Sequence, residues 1–413
     1  MPPRTVTPTQ RGFLIVNSHP EGCAASVRRT WQAVPNGAAA HDPATEGAAR
    51  AGRPPVVLVL GASAGYGLAI LAAALRGHGA RAVGVAFEAP ENARRTASAG
   101  WYRTAALADL ARAEGHDVTF VNADAFSDTA KTEVLDLIAE RYGPVDHLVY
   151  SLAAPRRTDP ATGTTHQSVI KPLGAPYESP ALRFSDDGTP EAGTVRLEPA
   201  DDAERADTVA VMGGADWRRW VEALEARDLL AEGFATVALS YVGSELTAPV
   251  YRQGTIGAAK EHLEHTAREL HAHLAARGGR AHTVVAGAAV TQASTAIPSI
   301  ALYTGLLYDV LGPEGFRTPV DQAVDLWDRL TGAAPLDLDD RSRVRLDRWE
   351  LDETVQDRVR ALWADPAGSV AGSERGVAWF AAQVRELYGW DQAGVDYARP
   401  TETTVPWPAP RPA

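Results

Sequence analysis

VVLVLGASAGYG, residues 56–67, is the stretch on which the fold turns. Its first five residues are apolar and mostly β-branched, and a run this short that ends at glycine reads as a strand buried on both faces. The glycines that follow keep the G-x3-G-x-G spacing. Glycine lets a backbone turn tightly and approach a pyrophosphate, while unpaired N–H groups at a helix start supply hydrogen bonds and a positive dipole end. Read this way, Gly61, Ala62, Ser63, Ala64, Gly65, Tyr66 and Gly67 form a nucleotide-binding loop, and LAILAAALR (68–76) is the helix behind it. Taken alone, such a string marks a plain tight turn as readily.

Its surroundings favour the nucleotide reading. AVGVAFE (82–88), VTFVNAD (118–124), VDHLVYSLAA (145–154), ATVALSYVG (235–243) and HTVVAGAAVTQ (282–292) continue the strand pattern, with helix-like segments between most of them. Alternation of this kind predicts a doubly wound α/β fold of Rossmann type, a parallel sheet covered on both faces. Glu88 closes the second strand about twenty residues beyond Gly67, where a carboxylate accepts hydrogen bonds from ribose hydroxyls and repels a 2′-phosphate. That selects NADH. Arg94 and Arg95 would argue for NADPH, but as solvated helix charges they carry no such message. Asp124 and Ala125 end the third strand and Leu152 and Ala153 the fourth, on the edge where an open parallel sheet binds ligands. Asp124 is equally suited to cap the next helix.

The 413 residues are 45% hydrophobic and 22% charged, a balance with ample material for a large core. Forty basic against fifty-two acidic residues leave a net charge of -12, which disfavours general affinity for nucleic acid or an anionic membrane. Cys23 is the single cysteine, so an internal disulfide and a thiolate-rich metal site are excluded and a reducing cytoplasm is expected. The N-terminal apolar run is too short for a signal sequence. Residues 36–55 read as an Ala/Gly/Pro-rich loop, 155–205 as a polar hairpin-like excursion, and 300–395 as mainly helical. The organisation expected is an extension over 1–55, one catalytic domain over 56–400 and an extended Pro-rich tail over 401–413.

YRQGTIGAAK (251–260) sets a tyrosine and a lysine nine steps apart. In an unbroken helix the two side chains would be rotated by about 900° and separated by roughly 13 Å, so they share a site only if the chain turns between them. Gly254 and Gly257 permit that turn, with a helix beginning near Thr255. His262, His265, His271 and His273 read as a solvated helix face with no metal, and Trp217 and Trp220 as packing anchors.

Taken together, GASAGYG, WY (101–102), NADAFSD (122–128), YSLAAPRRTDPATG (150–163), VMGGADW (211–217), SYVGSELTAPVYRQGTIGAAK (240–260) and VTQASTAIP (290–298) closely resemble the trans-2-enoyl-CoA and enoyl-ACP reductases of the FabV type. The likeness runs from residue 11 to residue 359. It implies an enlarged relative of the short-chain dehydrogenases that reduces the α,β double bond of an enoyl thioester with NADH, on CoA or on an acyl carrier protein; a monomer is expected. Carried over by motif, Tyr251 is the proton donor, Lys260 contacts the nicotinamide ribose, and Tyr241 contacts the thioester carbonyl. Phe87 and Glu88, Asp124 and Ala125, Leu152 and Ala153, and Val290, Thr291 and Gln292 join the glycine loop as cofactor-binding positions.

The chemistry suits these residue types. Hydride arriving at the β-carbon pushes negative charge onto the carbonyl oxygen, and a phenol aimed there stabilises it. Lys260, permanently cationic, would position the cofactor and lower the phenol pKa through its field. Which tyrosine polarises the carbonyl and which delivers the proton stays open at this level. Two alternatives also stand: a ketoreductase on the same scaffold, and an NAD-binding regulator that has lost turnover. Arg156, Arg157 and Lys171 are candidates for a small basic patch facing an acidic carrier protein.

One departure from the resemblance generates a prediction. Where the family commonly carries an aromatic residue, as in T-W-P, this chain has Thr247, Ala248 and Pro249, which would widen the acyl pocket. Ala248→Trp is expected to shift kcat/KM from long-chain toward short-chain enoyl thioesters; an unchanged chain-length preference in steady-state assays would refute the wider pocket.

Overall fold

Val56–Leu60, here β1, is buried at all five positions, and its side chains divide by the two-residue period of a strand. Val57 and Val59 enter one core with Leu71 and Trp327, while Leu58 and Leu60 enter another with Trp217 and Trp220. The computed structural model describes residues 3–11, 14–37, 53–184, 189–292, 294–373 and 375–409. Most of the 36–55 loop read from sequence lies outside them.

Six further strands join β1: β2 (Arg81–Ala86), β3 (Val118–Asn122), β4 (Val145–Tyr150), β5 (Leu230–Tyr241), β6 (Arg280–Ala286) and β7 (Val344–Arg345). They form one sheet in the order β7-β6-β5-β4-β1-β2-β3, every pairing parallel. Leu58 pairs with Val83 on one side and Leu148 on the other. Strand order therefore reverses between β1 and β4, which opens a crevice at their C-terminal ends.

The expected α/β alternation is present, with instructive departures. The strands stop two to six residues earlier than the apolar runs suggest, β2 at Ala86 rather than Glu88 and β6 at Ala286 rather than Gln292. The surplus residues form loops on the ligand-binding edge, some packed, as Val242 and Ala288, and some open, as Phe87. The excursion over 155–205 contains two antiparallel pairs, Arg156–Thr158 with Thr165–Gln167 and Tyr177–Phe184 with Pro190–Leu197. β7 was not anticipated, since two residues leave no periodicity to read. The C-terminal region is helical as expected, and its Val359, Phe380 and Val384 pack with Tyr303 and Leu306 of the helix Pro298–Gly315.

The tail is extended and anchored. Tyr102 donates to Thr403 O at 2.8 Å, Trp101 Nε1 to Val405 O at 2.8 Å, and Trp407 Nε1 to Phe120 O of β3 at 3.1 Å. At the other end of the chain, Arg4 pairs with Thr401 through two backbone hydrogen bonds of 3.0 Å.

Trp217 and Trp220 are fully buried anchors, donating to Thr236 Oγ1 at 2.8 Å and to Ala125 O at 3.1 Å. Beside them the Lys131 ammonium meets Asp216 Oδ1 at 2.8 Å, and Tyr150 donates to the other carboxylate oxygen at 3.3 Å. Both ions are buried, so removing one strands the other. Asp216→Ala should lower unfolding free energy by about 3–5 kcal/mol in denaturant titrations. A loss under about 1 kcal/mol would mean the pair behaves as an exposed one.

Candidate active site

The glycine loop fills the space where β1 and β4 part. Gly61 has φ +85°, the left-handed region that favours glycine, and its N–H and that of Ala62 both reach Val85 O, at 2.9 and 3.0 Å. A β-carbon on Gly61 would lie 2.3 Å from Ser151 O, and one on Gly67 would lie 2.0 Å from Gly61 O. Contacts that close exclude any side chain, so these glycines are fixed by approach as well as by conformation. Ala62 is buried beneath the loop. Helix Gly65–Ala72 starts after Ala64 with no side chain capping it, which leaves its N-terminal N–H groups available to an anion. Tyr66 points inward, donating to Gly287 O at 2.6 Å, and so ties this helix to the end of β6.

Other positions read from sequence gather on the same edge. Leu152 and Ala153 follow β4, with Leu152 Cδ2 3.4 Å from where a Gly61 β-carbon would stand. Thr291 approaches from beyond β6, 3.5 Å from the corresponding point on Gly65, and an exchange of hydrogen bonds with Ser294 holds it. Val290 packs against the C-terminal core, and Gln292 is exposed. Glu88 lies two residues past β2, its carboxylate accepting from Ser63 at 2.6 Å and Ser98 at 2.5 Å. Each oxygen keeps a lone pair for a further donor. Next to it Phe87 stands 76% exposed, an apolar ring left open to a planar ligand. The helix Asp128–Arg141 is capped by Ser127, not by Asp124; Asp124 instead accepts from Phe126 N at 3.0 Å, turning the chain just after β3.

One strand over from the crevice, β5 ends at Tyr241. A single helical turn, Ala248–Tyr251, then doubles back, and the helix Thr255–Ala275 starts as expected. Gly254 and Gly257 are needed for close approach, not for an unusual φ: β-carbons there would lie 2.5 Å from Val250 O and 2.2 Å from Arg252 O. The turn brings Tyr251 edge-on to Tyr241, ring centroids 4.7 Å apart at 80°. Lys260 reaches back to Leu239 O in β5 at 3.2 Å. Among the described residues the Tyr251 hydroxyl has no hydrogen-bond partner.

Tyr241 differs. Its hydroxyl donates to Glu350 Oε1 at 2.7 Å, as does that of Tyr303 at 2.9 Å, and Ala288 N donates to Oε2 at 2.5 Å. Sequence reasoning missed Glu350. Its only visible signal is an acid set between Trp349 and Leu351, and nothing local shows that it folds beneath two tyrosines. Burial raises its carboxyl to about 7.

Two electrostatic expectations are corrected. Lys260 is not permanently cationic, because burial lowers its ammonium to about 8. The Tyr251 phenol is raised, first by burial and then by the Glu350 charge. Of the three residues of the basic patch only Arg156 stays exposed: Arg157 is buried with its guanidinium on Ala210 O at 2.9 Å, and Lys171 pairs with Glu204 at 2.5 Å. Among the described residues no group of three or more His, Cys, Asp or Glu is placed to hold a metal ion.

The Lys260 shift fixes a sign. Between about 8 and 10.5 the unfolded chain still binds a proton that the native lysine has released, so stability rises with pH across that window. In Lys260→Met this rise should be absent from denaturation curves; an identical pH dependence in both proteins would show that the ammonium is solvated.

Comparison with known proteins fits this geometry. Residues 95–330 match the family model of the trans-2-enoyl-CoA reductase catalytic region, and residues 5–93 that of the NAD(P)H binding domain of trans-2-enoyl-CoA reductase. An enoyl-acyl-carrier-protein reductase (NADH) from Streptomyces avermitilis is 53% identical over 97% of this chain and 99% of its own length; one from Flavobacterium johnsoniae is 41% identical over 97% and 98%. The crystal structure of Treponema denticola trans-2-enoyl-CoA reductase in complex with NAD superimposes with a TM-score of 0.88 at 37% identity, over 96% of this chain and 98% of that one. Residues 338–400 match a model described as an enoyl reductase FAD binding domain. The residues there do not fit a flavin dinucleotide. Among the described residues of the segment all three helix N-termini are taken by carboxylates: Asp352 accepts from Thr354 N, Asp365 from Gly368 N and Asp309 from Gly376 N, at 3.0, 3.1 and 2.7 Å. A pyrophosphate would meet negative charge at each one. The helix behind Gly61–Gly67 carries no such carboxylate, and with its sheet, its glycine loop and these extended matches the chain belongs to the trans-2-enoyl-CoA reductase family.

Proposed function

We propose that this chain is an NADH-dependent oxidoreductase that saturates the trans-2 double bond of enoyl thioesters, carried on CoA or on an acyl carrier protein, in fatty acid synthesis. The observation that carries the reading is the meeting of Tyr241 and Tyr251 at the end of β5, one strand from the crevice, with Lys260 bonded to the same strand at Leu239. NADH supplies the hydride for the β-carbon. Gly61 to Gly67 receive its pyrophosphate, Glu88 its adenosine ribose, and Phe87, Asp124 and Ala125 the adenine side. Leu152, Ala153 and Val290 to Gln292 line the far wall. The preference for NADH rests on Glu88, since a carboxylate there repels a 2′-phosphate.

The two tyrosines divide the work. Tyr251, with its hydroxyl unclaimed, donates to the carbonyl oxygen as charge develops there, an interaction that costs on the order of 10² to 10³ in rate when one such donor is lost. Its edge-on contact with Tyr241 and burial on all sides hold the phenol in place before substrate arrives. Lys260, anchored on Leu239 O, places an ammonium that can shed its proton near neutral pH beside the nicotinamide ribose.

The catalytic unit is taken as residues 56–400, because the sheet runs unbroken from β1 to β7. A monomer is favoured by surface composition: among the described residues, Phe87 and Leu338 are the only exposed large hydrophobics, too few for the apolar centre of an obligate interface. The lone buried Cys23 suits a reducing cytoplasm.

Tyr251→Phe should lower kcat/KM for crotonyl thioester with NADH by on the order of 10²-fold or more, with coenzyme binding by fluorescence titration retained. A folded, coenzyme-saturated variant turning over at the wild-type rate would remove Tyr251 from the chemistry.

A further inference from the structure

Glu350 is the buried group nearest the reacting tyrosines to which the reaction as described gives no task. It ends a segment that follows β7, and its neighbours fix how it can be protonated. Oε2 accepts the Ala288 N–H at 2.5 Å, so a proton on the carboxyl belongs on Oε1. Oε1 faces two hydroxyls, those of Tyr241 and Tyr303. The Tyr303 oxygen already accepts from Gln356 Nε2 at 3.0 Å, and that amide is pinned in turn by its 2.7 Å bond to Glu350 O. Tyr303, already accepting one bond, is placed to donate to Oε1, and the oxygen of Tyr241, which accepts from no group among the described residues, is the open acceptor for a proton on Oε1. The chain of bonds has a direction: Gln356 to Tyr303, Tyr303 to Glu350, Glu350 to Tyr241.

We propose that Glu350 is a positioning residue that sets which way the Tyr241 hydroxyl points: a protonated carboxyl donates to Tyr241 and turns its O–H toward the thioester oxygen, whereas an ionised carboxylate draws that O–H back onto itself. The proposal rests on the enoyl thioester reading above. With the carboxyl neutral, Tyr241 and Tyr251 both donate to the developing oxyanion; with it ionised, Tyr251 donates alone. No bond beyond these hydrogen bonds is made or broken.

The surroundings place this switch in an accessible range. The groups facing the carboxyl are Tyr241 from β5, Tyr251 from the turn Ala248–Tyr251, Tyr303 from the helix Pro298–Gly315, Tyr66 from the glycine-loop helix, and Asp347 from its own segment. None brings a positive charge to hold the carboxylate ionised, and Asp347 is itself paired with Arg345 at 2.8 Å. Burial dominates and carries the group to about 7.

The test compares wild type with Glu350→Gln, whose amide always donates to Tyr241 and still accepts from Ala288. For wild type, kcat/KM on crotonyl thioester with NADH should fall by about 10- to 100-fold between about pH 6 and about pH 9, because the roughly 1% of carboxyl still neutral at the upper end caps the loss of an oxyanion donor otherwise worth on the order of 10² to 10³. In Glu350→Gln the fall should shrink to about threefold, the remainder belonging to Lys260, which the variant retains. The infrared spectrum of the coenzyme-free protein gives a second readout independent of turnover. Wild type should show the carbonyl stretch of a neutral carboxyl group that disappears as pH rises through neutrality, shifts in Tyr241→Phe, and is missing from Glu350→Gln. A wild-type enzyme that turns over with the same pH profile as Glu350→Gln overturns the switch and leaves the reductase reading intact. Absence of the neutral-carboxyl band at about pH 6 overturns it whatever the activity. An inactive wild type that keeps the band counts against the reductase reading and, with it, against this role for the carboxyl.

Discussion

The crevice exists because two backbones touch where no side chain fits. Gly61 leaves β1 against Ser151 at the end of β4, and Gly67 folds back over Gly61, with 2.3 and 2.0 Å separating the missing β-carbons from carbonyl oxygens. Everything at the site is measured from that contact. It fixes where the loop's helix begins, which N–H groups face the cleft, and how far Thr291 must reach from β6 to close the wall. A methyl group at either glycine would force the strand ends apart by more than an ångström, since carbon and oxygen do not approach that closely in folded chains.

Charge placement then divides the helix starts into two kinds. The helices at Asp128, Glu353, Pro366 and Gly376 each have an oxygen-bearing side chain on their first N–H groups, and the glycine-loop helix, like those at Thr255 and Pro298, has none. A protein of net charge -12 that binds an anionic dinucleotide has to keep its own oxygens off one helix start. At the tyrosine end the same low-dielectric environment works differently. Burial makes Lys260 easy to deprotonate and Glu350 easy to protonate, so both groups sit near neutrality without pairing.

The sheet and the glycine loop were legible in the sequence because both rest on local spacing, an apolar pentapeptide followed by three glycines. Strand ends were not, since Leu152 and Val290 are apolar for the sake of a neighbouring core, Phe87 is apolar though exposed, and all three prolong the hydrophobic run past the last ladder bond. The Tyr251–Lys260 turn was legible from helix geometry, though the reason for its glycines lay in carbonyls that only the fold brings near. Glu350 was illegible. It is one of fifty-two acidic residues, and its role depends on Tyr241, Tyr303 and Ala288, which arrive from 47 to 109 positions away. Arg157 and Lys171 show the converse, charges that look solvated in a polar stretch and are spent inside it.

The anchored tail has a consequence for how the protein behaves in a crowded solution. β3 is an outer strand of the sheet, and an uncovered strand margin offers its main-chain groups to any extended peptide that drifts by. Trp407 takes the Phe120 carbonyl, and the prolines around it cannot extend the ladder themselves. At the opposite margin β7 is two residues long, too short to template a partner. The last turns of chain thus serve as a selvedge that keeps a seven-stranded sheet from growing an eighth strand out of someone else's backbone.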